Sequence, residues 1–348
     1  MITPQAPMIV HLDDEFDAWT GTATPEIVSL IAGMFAAQGE TRSAELLRWQ
    51  YLSHLGGAHV CIAHTKAGLH AEPAALYAAF PTRFQVDGRA VTAYQSFDTL
   101  TAAGFRGRGL FVRLAELAYR QIADSGCGLV YGIPNGESFG GFVRRLGWSA
   151  LDPLPMMIRP VGLRYLRSRA RLRRPKVVST AAVLEAAACP TDVTDLFRRS
   201  QYAGKSGVIR DHEYLQWRLQ RPGSSYRLIE SRGPRGVLNG IAVVDVLAKH
   251  GGTIGYLMEL MIDPDALDGG RELLAEAINR MVLDGADVVL AWAMPDDPVH
   301  ALLRHRGFRD LPARFSPIEL HLGYRSFDEE NTLDRGGLRW SYLDSDTV

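Results

Sequence analysis

Arg106-Gly107-Arg108-Gly109-Leu110 places two guanidinium groups and two glycines in one short run. Glycine lets the backbone approach a ligand with no Cβ in the way. Arginine can grip phosphate oxygens through two parallel N–H bonds. If a helix opens at Leu110, its first amides have no partner inside the helix, and the positive end of the helix dipole points at the same spot. The chemistry such a run supports is the holding of an anion such as a pyrophosphate. The same residues also suit an ordinary strand-to-helix turn, so the flanking elements decide between the two.

Other reactive residue types are sparse. Cys61, Cys127 and Cys189 are far apart and form no CxxC, which argues against a disulfide framework and a structural zinc site and fits a reduced cytoplasm. Cys127 follows a glycine at an expected helix end and reads as a packed thiol. The ten histidines show no HxxxH or HExxH spacing, so no metal centre is expected. No GxSxG is present. Trp49 and Trp217 occupy matching places in an internal repeat and read as packing anchors.

The elements around the glycine–arginine run can be read from periodicity. Ala74–Phe80 and Ala90–Phe97 are strand-like, and Val86-Asp87-Gly88-Arg89 supplies an Asp-Gly hairpin turn between them. Leu110, Leu114, Ala118 and Ile122 form one helical stripe that Phe111 and Ala115 widen. Ser125-Gly126 ends that helix. Gly128–Ile133 is a short buried strand. Strand, glycine turn, helix and strand in this order predict a crossover with the two strands parallel.

The whole chain reads as two such units. Leu46-Leu47-Arg48-Trp49-Gln50-Tyr51 in the first half matches Tyr214-Leu215-Gln216-Trp217-Arg218-Leu219 in the second, each before a strand. The closing helices end Arg145-Leu146-Gly147-Trp148 and His305-Arg306-Gly307-Phe308, glycine stops followed by an aromatic. The 348 residues are expected to divide into 1–155, a basic linker at 156–180, and 181–348. The linker reads either as a phosphate patch or as a solvated helix that packs Leu163, Leu166 and Ala170 and turns its arginines outward. With 47% hydrophobic and 22% charged residues and a net charge of −1, the chain is globular and has no overall attraction to polyanions. No leader and no membrane-spanning run are visible, so a cytoplasmic protein without membrane contact is expected.

With these residues in place, the chain resembles the GCN5-related N-acetyltransferase (GNAT) superfamily. Arg106-Gly107-Arg108-Gly109-Leu110 is similar to that family's pyrophosphate motif through its fifth place, and Phe111 departs from the small residue at the sixth. Val130–Phe139 and Leu146-Gly147-Trp148 resemble its fifth strand, asparagine and final helix. Asp98-Thr99-Leu100-Thr101 and the ending Trp340–Asp346 resemble a subset with two acetyltransferase-like domains, some of which acylate nucleotide-linked amino sugars. The resemblance implies an α/β (α+β) fold of two GNAT-like domains, each a mixed twisted sheet flanked by helices. The second is read as a degenerate copy, because Asp263-Pro264-Asp265-Ala266-Leu267-Asp268-Gly269-Gly270-Arg271 carries three aspartates where a pyrophosphate would want positive charge.

The implied activity is direct transfer of an acyl group from acyl-CoA to a primary amine of a small molecule, such as a nucleotide-linked amino sugar or a natural-product amine. Donor contacts are expected from Leu100, Thr101, Arg106, Gly107, Arg108, Gly109, Leu110, Phe111, Asn135, Ser138 and Phe142. Asn135 equally suits an Asx turn. An attacking amine must be neutral, so a general base is expected. Asp98 is the first candidate, or else a structural carboxylate. His212 is the second, or else part of a helix N-terminus with Asp211 as cap and Glu213 in the first turn. Phe142 stands where many relatives carry a proton-donating tyrosine, so protonation of the thiolate is expected to use water, another residue, or no acid at all. Two alternative donors are an acyl carrier protein or an aminoacyl-tRNA on the basic linker. A further alternative is a non-catalytic acyl-CoA-binding module.

Overall fold

The computed structural model describes residues 4–66, 71–151, 154–162, 183–249, 251–312 and 320–345. The first half runs β1 (Met8–His11), β2 (Phe16–Thr22), α1 (Pro25–Ala36), α2 (Ala44–Leu52), β3 (His59–Thr65), β4 (Pro73–Val86), β5 (Arg89–Thr101), α3 (Leu110–Asp124), β6 (Leu129–Gly132), α4 (Gly136–Leu146), β7 (Ser149–Ala150) and β8 (Met156–Pro160). The second runs β9 (Val183–Ala186), α5 (Val193–Arg199), β10 (Gly207–Val208), α6 (His212–Leu219), β11 (Arg227–Arg232), β12 (Leu238–Lys249), β13 (Gly252–Ile262), α7 (Leu267–Leu283), β14 (Val288–Trp292), α8 (Pro298–His305), β15 (Arg309–Leu311) and β16 (Gly323–Ser326). None of the described helices is long and apolar enough to cross a membrane.

The expected crossover is present. Asp87-Gly88 turns β4 into β5, and β5 pairs antiparallel with β4 along its length and parallel with β6. Strand β4 is buried on both faces, which its run of apolar residues dictates. Leu76, Ala78 and Phe80 face one core layer with Ile31, Phe35 and Leu47 of α1 and α2. Tyr77 and Ala79 face the other with Leu114 and Ala118 of α3. The stripe Leu110, Leu114, Ala118 and Ile122 is fully inward.

Two sheets result, in the orders β1-β2-β3-β4-β5-β6-β16-β7, with β10 also pairing β4, and β15-β8-β14-β13-β12-β11-β9. Their membership crosses the expected boundaries. β8, which opens the segment expected as a linker, pairs antiparallel with β14 and β15 of the second sheet. β16, from the second half, sits between β6 and β7 of the first. Each sheet is therefore completed by a strand from the other half. Leu163, Leu166, Ala170 and the rest of the basic run to 176 lie outside the described residues.

The repeat tryptophans form the seam. Trp49 and Trp217 stack with ring centroids 4.6 Å apart. Each indole N–H donates to the other residue's backbone carbonyl, at 2.8 and 3.2 Å. Around them one core cluster takes residues from both halves, including Leu47, Phe80, Leu215 and Val243. A buried ionic group lies on the second side: Arg210 pairs with Glu259 at 2.8 Å and with Asp344, and Tyr202 donates to Glu259 at 2.6 Å.

His54 lies flat on Trp217 at 3.9 Å and is 3% exposed. Burial, helped by Arg218 and Arg83, pushes its imidazole down to about 3, and burial pushes His59 to about 4. Both are neutral in the fold and take up protons when unfolded, near the ordinary value of about 6.5. Their contribution is thus complete above about 6.5 and lost as pH falls towards 4 and 3. Urea midpoints measured between pH 7 and pH 5 should fall, and His54→Phe should flatten that slope; an unchanged slope in the variant would remove His54 from the account.

Candidate active site

β5 and β6 run side by side only from Ala93–Leu129 to Ser96–Gly132. Gly132 allows the last close approach, since a Cβ there would lie 2.9 Å from the Ser96 carbonyl oxygen and 3.3 Å from the Trp148 ring. Beyond that point β6 stops and the chain turns through Ile133-Pro134-Asn135 into α4, while β5 continues to Thr101. Against β4, Ala78 pairs with Asp98 and Ala79 with Ser96, so Phe97 is an extra, bulged residue. The two strands part into a wedge whose β5 edge, with Leu100 and Thr101, has no strand partner on the β6 side among the described residues.

The wedge leads to the glycine–arginine turn. A single 3₁₀ turn, Ala103–Phe105, precedes it. Gly107 has φ 79° and Gly109, the N-cap of α3, has φ 75°, left-handed values that side-chain-bearing residues resist. The first helical bond closes from Arg113 N to Gly109 O, so the amides of Leu110, Phe111 and Val112 have no acceptor within the helix. Leu110 is buried. Arg106 is exposed, with Nε 3.4 Å from the Thr101 carbonyl oxygen. Arg108 donates to Glu15 at 2.6 Å and lies over the rings of Phe16 and Phe105. The Phe111 ring turns away from the turn and meets Phe142 edge-on at 5.1 Å, which accounts for an aromatic at that place.

At the narrow end of the wedge is a cavity of about 350 Å³. Gln95, Ser96, Phe97 and Asp98 of β5 line it, with Arg42, Trp49 and Gln50 above and Arg221 and Ser345 from the second half. Asp98 is 7% exposed. Its Oδ2 accepts from Arg42 Nη1 and from the Tyr51 hydroxyl, each at 2.7 Å. Arg42 stacks on Phe35 at 3.8 Å and also donates to Glu40 at 2.7 Å. Burial opposes the Arg42 charge, but Asp98 and Glu40 outweigh it and raise its pKa. Burial, then the Asp98 charge, holds the Tyr51 phenol well above its ordinary value. Arg42 and Tyr51 carry no site signal in the sequence. Tyr51 ends a repeat segment; Arg42 sits in an irregular connection with no local signal.

Phe142 and His212 lie away from the cavity, and Asn135 serves as a helix cap. Phe142 is 3% exposed and packs between Phe111 and Trp148, so it presents no surface to a ligand. His212 does not line the cavity. It is the first residue of α6, capped by Asp211, and Asp211 and Glu213 hold Arg83. Arg83 lies five residues along β4 from Ala78, the partner of Asp98, or roughly 17 Å away at strand spacing. Asn135 caps α4, with Oδ1 accepting from Ser138 N and Ser138 Oγ, each at 3.0 Å. That is the Asx-turn reading, and it places Asn135 and Ser138 at the mouth of the wedge by backbone position.

The second half repeats the wedge and closes it. β13 pairs with β14 only as far as Leu257–Ala291, and Met258 is bulged against β12. Glu259 takes the register place of Asp98. The segment Ser341–Asp344 fills the gap: Tyr342 stacks on Trp292 at 4.1 Å and meets Tyr256 edge-on, and Arg210 bridges Glu259 and Asp344. At the turn, Asp263 accepts from Arg199 at 3.1 Å and Asp268 from Arg271 at 2.8 Å. Among the described residues no group of three or more His, Cys, Asp or Glu converges as a metal site would require.

Residues 17–151 match the family model described as the acetyltransferase (GNAT) domain. No curated protein sequence matches the chain. Among solved structures, a probable N-acyltransferase of Enterococcus faecalis superposes with a TM-score of 0.65 at 14% identity, covering 89% of this chain and 72% of that one. Saccharomyces cerevisiae N-myristoyltransferase with bound myristoyl-CoA gives 0.63 at 15% identity, over 99% and 88%. A GCN5-related N-acetyltransferase of Anabaena variabilis gives 0.64 at 10% identity, over 89% and 73%. At these identities the structural likeness is one of fold.

Nothing lies within 4 Å of a Cβ built on Gly107 or Gly109, so a substitution there tests backbone conformation without a clash. Gly109→Val should cost about 1–2 kcal/mol in thermal denaturation and abolish measurable CoA binding in titration calorimetry. Unaltered CoA affinity would mean that the turn does not hold the anion.

Proposed function

We propose that this chain, which carries a GNAT acetyltransferase domain over residues 17–151, moves an acyl group from acyl-CoA to a primary amine of a small molecule. The observation that carries this reading is an order along one segment of chain: a cavity with a buried carboxylate at Gln95–Asp98, the edge of β5 that has parted from β6, and then the glycine turn at Gly107 and Gly109. The pyrophosphate sits on the amides of Leu110–Val112 with Arg106 and Arg108 beside it. The pantetheine arm lies along the unpartnered edge of β5, past Leu100 and Thr101, and completes its hydrogen bonding as a strand would. The thioester then reaches Phe97 and Asp98. Gln50, Gln95, Ser96 and Ser345 make the cavity polar, which suits a small polar acceptor such as an amino sugar or a natural-product amine.

In the reaction the neutral amine adds to the thioester carbonyl, an N–C bond forms, the C–S bond breaks, and the sulfur leaves as thiolate. A thiol near pKa 8.5 is a tolerable leaving group, so the absence of a proton donor at Phe142 is no obstacle. Asp98, which accepts hydrogen bonds from Arg42 and Tyr51 at the end of the cavity, is placed to meet an incoming amine. It orients the acceptor, and the proton leaves through the cavity mouth to water. The setting is the cytoplasm, where CoA is present; Cys61 and Cys127 are buried free thiols.

A thiol-release assay with acetyl-CoA across amine acceptors should show turnover, and silence with every acyl-CoA would sink the transferase reading. Asp98→Asn should lower kcat/KM by about tenfold to a hundredfold, the worth of a hydrogen bond to a charged group. The acid limb of the pH profile should track the acceptor's own pKa in both proteins. A limb present in the wild type and missing from the variant would make Asp98 the base.

A further inference from the structure

The β1–β2 hairpin brings acid to the one place that the donor reading needs positive. Arg108 Nη1 lies 2.6 Å from Glu15 Oε2, and Arg113, on the first turn of α3, pairs with Asp13. The hairpin tip is built rather than loose. Asp13 Oδ1 accepts from the amides of Glu15 and Phe16 at 2.8 and 2.9 Å, and Lys66 donates to the Asp13 carbonyl. The Arg108 guanidinium also rests between the rings of Phe16 and Phe105, which hold it near the turn whichever anion it meets.

We infer that Glu15 is a displaceable stand-in for the donor's phosphate: it holds Arg108 when the turn is empty and yields it when an anionic donor arrives. This rests on the donor reading above. A phosphate competes for Arg108 with a carboxylate that the chain itself supplies at high effective concentration, so part of the binding free energy goes into exchanging one partner for another. A donor without phosphate gains nothing from Arg108 and does not disturb the pair. Glu15 thereby sets how strongly the site prefers a phosphate-bearing thioester, and it acts through Arg108 without touching the reacting atoms.

The test is calorimetric titration of wild type and Glu15→Gln with CoA and with pantetheine, which carries no phosphate. Both side chains of the pair are largely exposed, so the variant should fold normally. It should bind CoA about two- to fivefold more tightly, as expected for release of a surface ion pair. The difference should collapse in high salt, and pantetheine should bind the two proteins alike. Weaker or unchanged CoA binding by Glu15→Gln would overturn the inference and make the pair a structural brace. Failure of the wild type to bind CoA would overturn the donor reading, and this inference with it.

Discussion

Two parallel strands that separate part-way leave backbone donors and acceptors that something else must satisfy. That constraint shapes both halves of the molecule. In the first, β5 and β6 part after Ser96 and Gly132, and the edge of β5 runs on to the glycine–arginine turn. In the second, β13 and β14 part after Leu257 and Ala291, and the chain fills the gap with Ser341–Asp344. The same architectural opening is left as a cavity in one half and is a packed seam in the other.

The closed half does more than stabilise. The segment that fills its wedge is tied down by Arg210, Glu259 and Asp344, and its next residue, Ser345, lines the first half's cavity. Arg218 donates to the Ser345 carbonyl at 2.8 Å from beside the stacked tryptophans. The exchange of β8 and β16 between the sheets and the Trp49–Trp217 stack keep that wall in register with Asp98. Because breaking a buried ion pair leaves uncompensated charge, disturbance around Arg210 reaches the cavity through the chain end.

Local pattern carried much of this. The apolar stripe of α3, the Asp87-Gly88 hairpin, the parallel crossover and the loss of positive charge at Asp263–Arg271 are all properties of short segments, and periodicity or turn chemistry reports them. The pairing of β8 with β14 and of β16 with β6 joins segments far apart in sequence, and neither strand's own pattern says which sheet it enters. The same limit applied at the site. Asp98 is legible as a carboxylate before the turn, but Arg42 and Tyr51, which hydrogen-bond to it, arrive from other elements. His212 carried the right chemistry in its side chain, yet its neighbours Asp211 and Glu213 serve a helix end and Arg83. The resemblance implies a site position at Phe142, whereas the structure packs its ring between Phe111 and Trp148.

On the proposed reading a thioester donor enters the wedge of the first half and not its counterpart in the second. Hydrogen–deuterium exchange with and without CoA tests this most directly. Bound CoA should slow exchange over residues 97–112 and leave residues 258–271 unchanged. Protection at 258–271, or none at 97–112, would contradict it.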